Sequence, residues 1–279
     1  MAGKRLVAIG LAGAGLVCIA GLAIARPERV GSLLLPLWVR TISDVRYGPK
    51  PENRLDLMLP RWSTKRQRPA VLVFHGGGWQ TGDRNETRYR ICRRYVKMGF
   101  LVANAEYRQG AVAPAVEDAV TALRWFSSAG QNYGADPHRM VVTGASAGAH
   151  LALLAAFQSG VPIAAVVNFY GPSNLEPLLS RRAIREVLPG ENPGALARQL
   201  SPQTYVRRGL PPVFSVHGTA DEVVPPEQTA ALTHAIQAAG GEASALFSEG
   251  GKHGLSVQQE DVAFDAVFAF LRRHGILGR

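Results

Sequence analysis

Ser146 is the residue around which the chain's chemistry gathers. It stands in Gly144-Ala145-Ser146-Ala147-Gly148, between the β-branched run Val141-Val142-Thr143 and the alanine- and leucine-rich run that starts at Ala149. A strand turning sharply into a helix lifts a serine hydroxyl above the sheet, and glycines clear the space where strand and helix nearly touch. The start of that helix points unpaired N–H groups and a positive dipole end at the serine, which suits a developing oxyanion. A glycine-rich turn with a passive serine gives the same pentapeptide. The difference lies in whether a base can take the hydroxyl proton and an acid can orient that base. Asp221, just past Val216-His217-Gly218, and His253, in Gly250-Gly251-Lys252-His253-Gly254, are the candidates. Upstream, His75-Gly76-Gly77-Gly78-Trp79 follows an apolar run directly, and consecutive glycines there let backbone N–H groups approach a ligand.

These groups need a scaffold that delivers them to one edge. Ala70–Phe74 and Phe100–Ala105 are short apolar runs of buried-strand type, Ile163–Tyr170 is another apolar strand, and Pro212–Gly218 and Ala243–Ser248 read as the last two strands. Residues 86–98, Pro114–Ala129, Pro226–Ala239 and Val257–Arg273 carry helical periodicity. Strands alternating with helices predict an α/β fold with a mainly parallel sheet and helices on both faces. In such a sheet, functional side chains lie just past the C-terminal ends of strands. Asp44–Gly48 and Arg54–Leu59 read as two half-exposed strands, and Asp136-Pro137-His138-Arg139 as a turn feeding the strand before Ser146. Residues 171–210 lose the rhythm and read as an insertion over the sheet's C-terminal edge. The expected organisation is therefore residues 1–25 as an export signal or anchor, 26–43 as an apolar linker and 44–279 as the catalytic domain.

The chain has 279 residues and a formal net charge of +10, enough for one large domain. The basic residues are scattered, few aromatics interleave with them and no nucleic-acid motif is present, so no nucleic-acid partner is expected. Lys4-Arg5 precedes an uncharged stretch, Leu6 to Ala25, that ends Ala23-Ile24-Ala25. This is the pattern of an export signal, and the stretch is also long enough to span a bilayer uncleaved. Both versions place the protein outside the cytoplasm or at a membrane, through residues 6–25. The cysteines are Cys18 and Cys92, so the folded domain holds no internal disulfide. No His, Cys or carboxylate cluster has metal spacing and no glycine-rich loop carries the phosphate-binding lysine, so neither metal nor cofactor is expected.

Taken in order, His75–Trp79, Asn104-Ala105-Glu106-Tyr107-Arg108, Asp118, Asp136–Arg139, Gly144–Gly148, His217-Gly218-Thr219-Ala220-Asp221 with Val224-Pro225, and His253-Gly254 resemble an α/β-hydrolase of the esterase/lipase group. The branch is that of the BD-FAE (bifunctional diglucuronyl and feruloyl esterase) and hormone-sensitive-lipase-like families. Ala149 departs from relatives that carry a second glycine before the histidine. The resemblance implies Ser146 as nucleophile, His253 as base and Asp221 as orienting acid, with Glu222 the rival acid. It implies an oxyanion hole from the N–H groups of Gly77, Gly78 and Ala147, with His75 bracing the glycine loop. Trp79 and Tyr170 are candidate pocket walls, or plain core. The implied activity is hydrolysis of a small-molecule carboxylic ester, short-acyl, aryl or sugar. A peptidase or amidase of arylformamidase type and an inert membrane-tethered binding module are the alternatives.

Overall fold

A computed structural model of the chain describes residues 38–61 and 67–278. The expected signal or anchor at 1–25 and most of the apolar linker lie outside these residues. Among them no helix is long and apolar enough to cross a membrane.

The strands β1 (Val39–Arg46), β2 (Arg54–Pro60), β3 (Arg68–Phe74), β4 (Leu101–Ala105), β5 (Ala135–Ala145), β6 (Ala165–Phe169), β7 (Val213–Gly218) and β8 (Ala243–Ser248) form one sheet in the order β1-β2-β4-β3-β5-β6-β7-β8. Neighbours from β4 to β8 pair in parallel, while β2 runs antiparallel to both β1 and β4. The first strand starts at Val39, inside the stretch expected to be linker. Strand β2 is not half-exposed: Leu55, Asp56, Leu57 and Met58 are all buried, because β1 covers its free edge. Asp136–Arg139 is not a separate turn but part of β5, whose register against β3 shifts between Arg68 and Ala70.

Alternation along β3 sorts the core. Ala70, Leu72 and Phe74 pack with helices α3 (Val112–Ala129) and α4 (Ala147–Gln158), while Val71 and Val73 pack on the other face with α2 (Arg93–Lys97) and α8 (Val257–Arg273). Helix α4 is apolar all round and buried from Ala147 to Phe157, as a helix leaving the centre of the sheet must be. Helix α7 (Glu227–Ala238) adds Leu232 and Ile236 to a smaller cluster with Leu153 and Phe157. The predicted helix at 86–98 is interrupted: α1 (Arg84–Thr87) and α2 flank a π-helical turn, Arg88–Cys92. Between β6 and β7 the chain folds into short turns and the helices α5 (Arg182–Glu186) and α6 (Pro193–Gln199).

Candidate active site

The turn at Ser146 is shaped by backbone packing. Ser146 has φ 54° and ψ −121°, a conformation a non-glycine residue holds only when its surroundings enforce it. Its N–H donates to Phe169 O of the neighbouring strand (2.9 Å), and its carbonyl accepts from Ala149 and His150 N–H at 3.0 and 3.1 Å. These bonds leave the hydroxyl projecting from the C-terminal edge of the sheet, at the N-terminus of α4.

Two loops further along the same edge bring the partners. Ser146 Oγ lies 2.9 Å from His253 Nε2, and His253 Nδ1 lies 2.7 Å from Asp221 Oδ2. The carboxylate accepts where the ring N–H donates, so Nε2 is left to accept from the serine hydroxyl. Asp221 is fully buried at its side chain, and its other oxygen accepts from the N–H groups of Val223 and Val224, both at 2.9 Å. A second histidine belongs to this end. His217 Nε2 donates to Val224 O (2.9 Å) and lies 3.2 Å from Asp221 Oδ2, while Nδ1 faces Thr229 Oγ1 at 2.7 Å. Burial holds the His217 imidazole below its ordinary pKa, so it stays a neutral prop for the acid loop. Glu222 takes no part in this chain of bonds.

The glycine loop forms the opposite wall. Gly77 and Gly78 line the cavity with Ser146 and His253, and both have positive φ, 112° and 60°. The Gly77 carbonyl accepts from Gln80 and Thr81 N–H, which folds the loop back. Ala147 is buried and opens α4 beside the serine. Beneath the loop, His75 Nδ1 donates to Gly76 O (2.7 Å), His75 Nε2 lies 2.6 Å from Glu106 Oε1, and the ring stacks on Tyr107 at 4.2 Å. Arg84 ties Glu106 (3.4 Å) to Asp56 (2.7 Å) and Asp44 (2.9 Å), and Arg88 also pairs with Asp56. The bracing expected of His75 is therefore one end of a charged network reaching β1 and β2.

Trp79 does not line the cavity. It is 2% exposed and packs edge-on against His150 at 5.0 Å, because its backbone (φ 60°) turns the indole down onto α4. Tyr170 does line it, and meets the His253 ring at 4.9 Å in a T-shaped contact. The cavity measures about 380 Å³ and its apolar walls are Ile91, Ala145, Phe169, Leu255 and Phe264. Its rim carries Glu86, Arg90 and Glu260, residues that composition and spacing did not single out. Arg90, on the π-helical turn, pairs with Glu260 of α8 and donates to Gly254 O (2.7 Å), next to the base. A π-turn is a recurring feature of functional sites, but its hydrophobic pattern is that of any helix.

Comparison with known proteins gives the chain its family. Residues 55–236 match the BD-FAE family. Esterase LipQ of Mycobacterium tuberculosis is 31% identical over 225 residues, 71% of this chain and 53% of that protein. A probable isoprenylcysteine alpha-carbonyl methylesterase ICME of Oryza sativa subsp. japonica is 29% identical over 261 residues, 79% of this chain and 62% of its own. The chain thus spans 53% and 62% of the length of these curated relatives. A thermophilic esterase of Thermogutta terrifontis, Est2, solved with propionate bound, superposes with a TM-score of 0.72 at 27% identity, covering 87% of this chain and 96% of that one. The same esterase has also been solved with butyrate bound.

Proposed function

Since the chain belongs to the BD-FAE family, with the α/β-hydrolase fold, we propose that it cleaves carboxylic esters through an acyl-enzyme on Ser146. The observation that carries this reading is the continuous relay Ser146–His253–Asp221, at 2.9 and 2.7 Å, opening on a cavity of about 380 Å³. His253 Nε2 takes the hydroxyl proton as Oγ attacks the ester carbonyl, and Asp221 stabilises the imidazolium that forms. The oxyanion is received by the N–H groups of Gly77, Gly78 and Ala147. As the tetrahedral adduct collapses, His253 hands the proton to the departing alkoxide. Water then enters by the same route, with His253 again the base, and releases the acid.

A small cavity with apolar walls supports short acyl groups, and so do the propionate and butyrate held by the Thermogutta enzyme. Ser146→Ala is expected to lower p-nitrophenyl acetate turnover by about 10⁴-fold or more while the protein stays folded. Near-normal turnover in that variant overturns the assignment. In a series of p-nitrophenyl esters from acetate to palmitate, kcat/KM is expected to peak at the short end. A maximum at decanoate or beyond refutes the acyl preference. We further infer from Lys4-Arg5 and the uncharged run to Ala25 that the protein works outside the cytoplasm or at a membrane. N-terminal sequencing after expression is expected to give Arg26 first, or an intact chain that sediments with membranes.

A further inference from the structure

The two edges of the sheet differ in charge. Val39 of β1 faces Pro60 at the close of β2, and Met58 of β2 faces Val102 near the start of β4. Strand β1 therefore begins at the edge where the parallel strands begin. Arg61 N–H donates to Trp38 O (2.9 Å) and closes that corner. The chain enters its described residues here, while Ser146, Asp221 and His253 follow the opposite ends of β5, β7 and β8.

The entry edge collects exposed cations. Arg61 follows β2, Lys97 ends α2 ahead of β4, Arg207 and Arg208 precede β7, and Arg272 and Arg273 end α8. Their partners leave the charge in place: Arg207 donates to Phe157 O at the foot of α4 (3.0 Å), and Arg273 lies over the Phe270 ring at 5.9 Å. Two carboxylates of this edge already have partners, Asp136 with Arg139 at 2.7 Å and Glu242 beside His274 at 3.1 Å. At the catalytic edge, by contrast, arginines and carboxylates interleave, as in Arg84 with Asp44 and Asp56, and Arg90 with Glu260.

We propose that the basic edge docks on an anionic lipid bilayer, with the catalytic cavity facing the water on the far side. The proposal rests on the membrane placement inferred above and adds an orientation to it. The uncharged stretch Leu6–Ala25 belongs to the segment that joins the domain at this same edge, beside Trp38. The field of an anionic surface fades within about 8 Å at physiological salt, so cations gathered on one edge act together and the distant edge feels little. In this pose an ester dissolved in water reaches Ser146 freely, and an ester embedded in the same bilayer does not.

The test uses the purified full chain with phosphatidylcholine vesicles, with or without phosphatidylglycerol. Wild type is expected to bind the anionic vesicles about 100-fold more tightly at low salt, a preference that high salt removes. The variant Arg207→Glu/Arg208→Glu/Arg272→Glu/Arg273→Glu loses the preference and keeps its turnover of p-nitrophenyl acetate in solution. Should that variant not fold, Arg272→Ser/Arg273→Ser is expected to lose part of it. In a Cys18→Ser chain, a fluorophore on Lys97→Cys is quenched by nitroxide lipid and one on Glu222→Cys is not. Equal binding to both vesicle types means that the apolar segment alone holds the membrane, and overturns the docking while leaving the placement intact. Unchanged binding by both charge variants, quenching at Glu222→Cys, or capture of a duplex oligonucleotide in preference to vesicles also overturns it.

Discussion

Glycines flank both the serine and the base, yet they serve different ends. A Cβ on Gly144 would lie 2.4 Å from Gly148 C, and one on Gly148 would lie 2.2 Å from Phe74 O. Strand and helix backbones interpenetrate there, so close contact itself excludes a side chain. A Cβ on Gly254 would meet nothing within 4 Å; only its φ of 95° calls for glycine. The nucleophile is thus held by rigid packing at the centre of the sheet. The base loop is pinned at its root, where a Cβ on Gly218 would lie 2.1 Å from Gly251 O. Beyond that point it is held by loop conformation and by polar contacts from elements distant in sequence, such as Arg90 to Gly254 O. One half of the relay has almost no freedom and the other has a tunable support.

Gly148→Ala separates the two halves most sharply. Backbone atoms cannot retreat as a side chain can, so the variant is expected to lose about 3 kcal/mol or more of stability and nearly all activity. Gly254→Ala has room and is expected to cost about 1 kcal/mol for its left-handed backbone. Urea denaturation of the two variants measures the gap. Equal costs would mean that the turn at Ser146 yields.

Acid should reach the serine half through His150. Its Nε2 donates to Leu200 O (2.7 Å), and complete burial pushes its pKa from 6.5 down to about 4. The unfolded chain takes up a proton below 6.5 that the folded chain refuses. The stabilisation is therefore fully present above pH 6.5, declines as pH falls and is gone below about 4. It amounts to about 3 kcal/mol at most, and burial of His217 acts in the same sense. Stability by urea denaturation is expected to fall from pH 7.5 to 5, and less steeply in His150→Gln. Identical slopes would remove His150 from the effect.

The rigid half was also the legible half. Glycine spacing at 144 and 148, the apolar run before His75 and the strand-helix alternation are local patterns, and the structure follows them closely; the last strand and helix keep their expected bounds, 243–248 and 257–273. The tunable half hides in long-range pairs. Arg90 and Glu260 are 170 residues apart, and nothing in either neighbourhood marks the other. The π-turn that aims Arg90 has ordinary helical periodicity. Asp56 and Glu106 sit in strand-like surroundings that do not reveal Arg84. For Trp79 the residue types leave pocket wall and core both open, and only the positive φ, a backbone property, sends the indole into the core.

Between the halves stands the glycine loop. A Cβ on Gly77 would come within 1.9 Å of Thr81 O, while one on Gly78 meets nothing within 4 Å. Gly77→Ala must push Thr81 aside and misaim the loop's N–H groups. Losing one oxyanion donor costs about 3 kcal/mol, so its turnover is expected to fall about 100-fold. Gly78→Ala needs only a left-handed alanine, at about 1 kcal/mol, and is expected to lose less than about tenfold. Equal turnover in both would place the oxyanion donors elsewhere.

The smallest effect tests the tunable support itself. Arg90 is half exposed, and its pairing with Glu260 is screened by water, so the ion pair is worth about 1 kcal/mol or less. Its contribution to catalysis is positional. The guanidinium bridges α8 and the Gly254 carbonyl, and Gly254 is bonded to the residue that must hold Nε2 2.9 Å from the serine. Arg90→Gln removes the charge and shortens the reach, leaving the triad and the packed turn intact. The expected result is a fall in kcat of about two- to fivefold with an almost unchanged melting temperature. Glu260→Gln should give a smaller fall in the same direction, since Arg90 keeps its bond to the carbonyl. High salt should bring wild type towards the Arg90→Gln value and leave the variant unmoved, because only wild type has a pair to screen. A loss beyond about 30-fold would put Arg90 in contact with the reacting ester, beyond what an exposed bridge can supply. No loss at all would show that the backbone bonds of the loop, Ala220 N–H to Gly251 O and Thr219 N–H to Ser248 O at 2.9 Å each, suffice to aim the base.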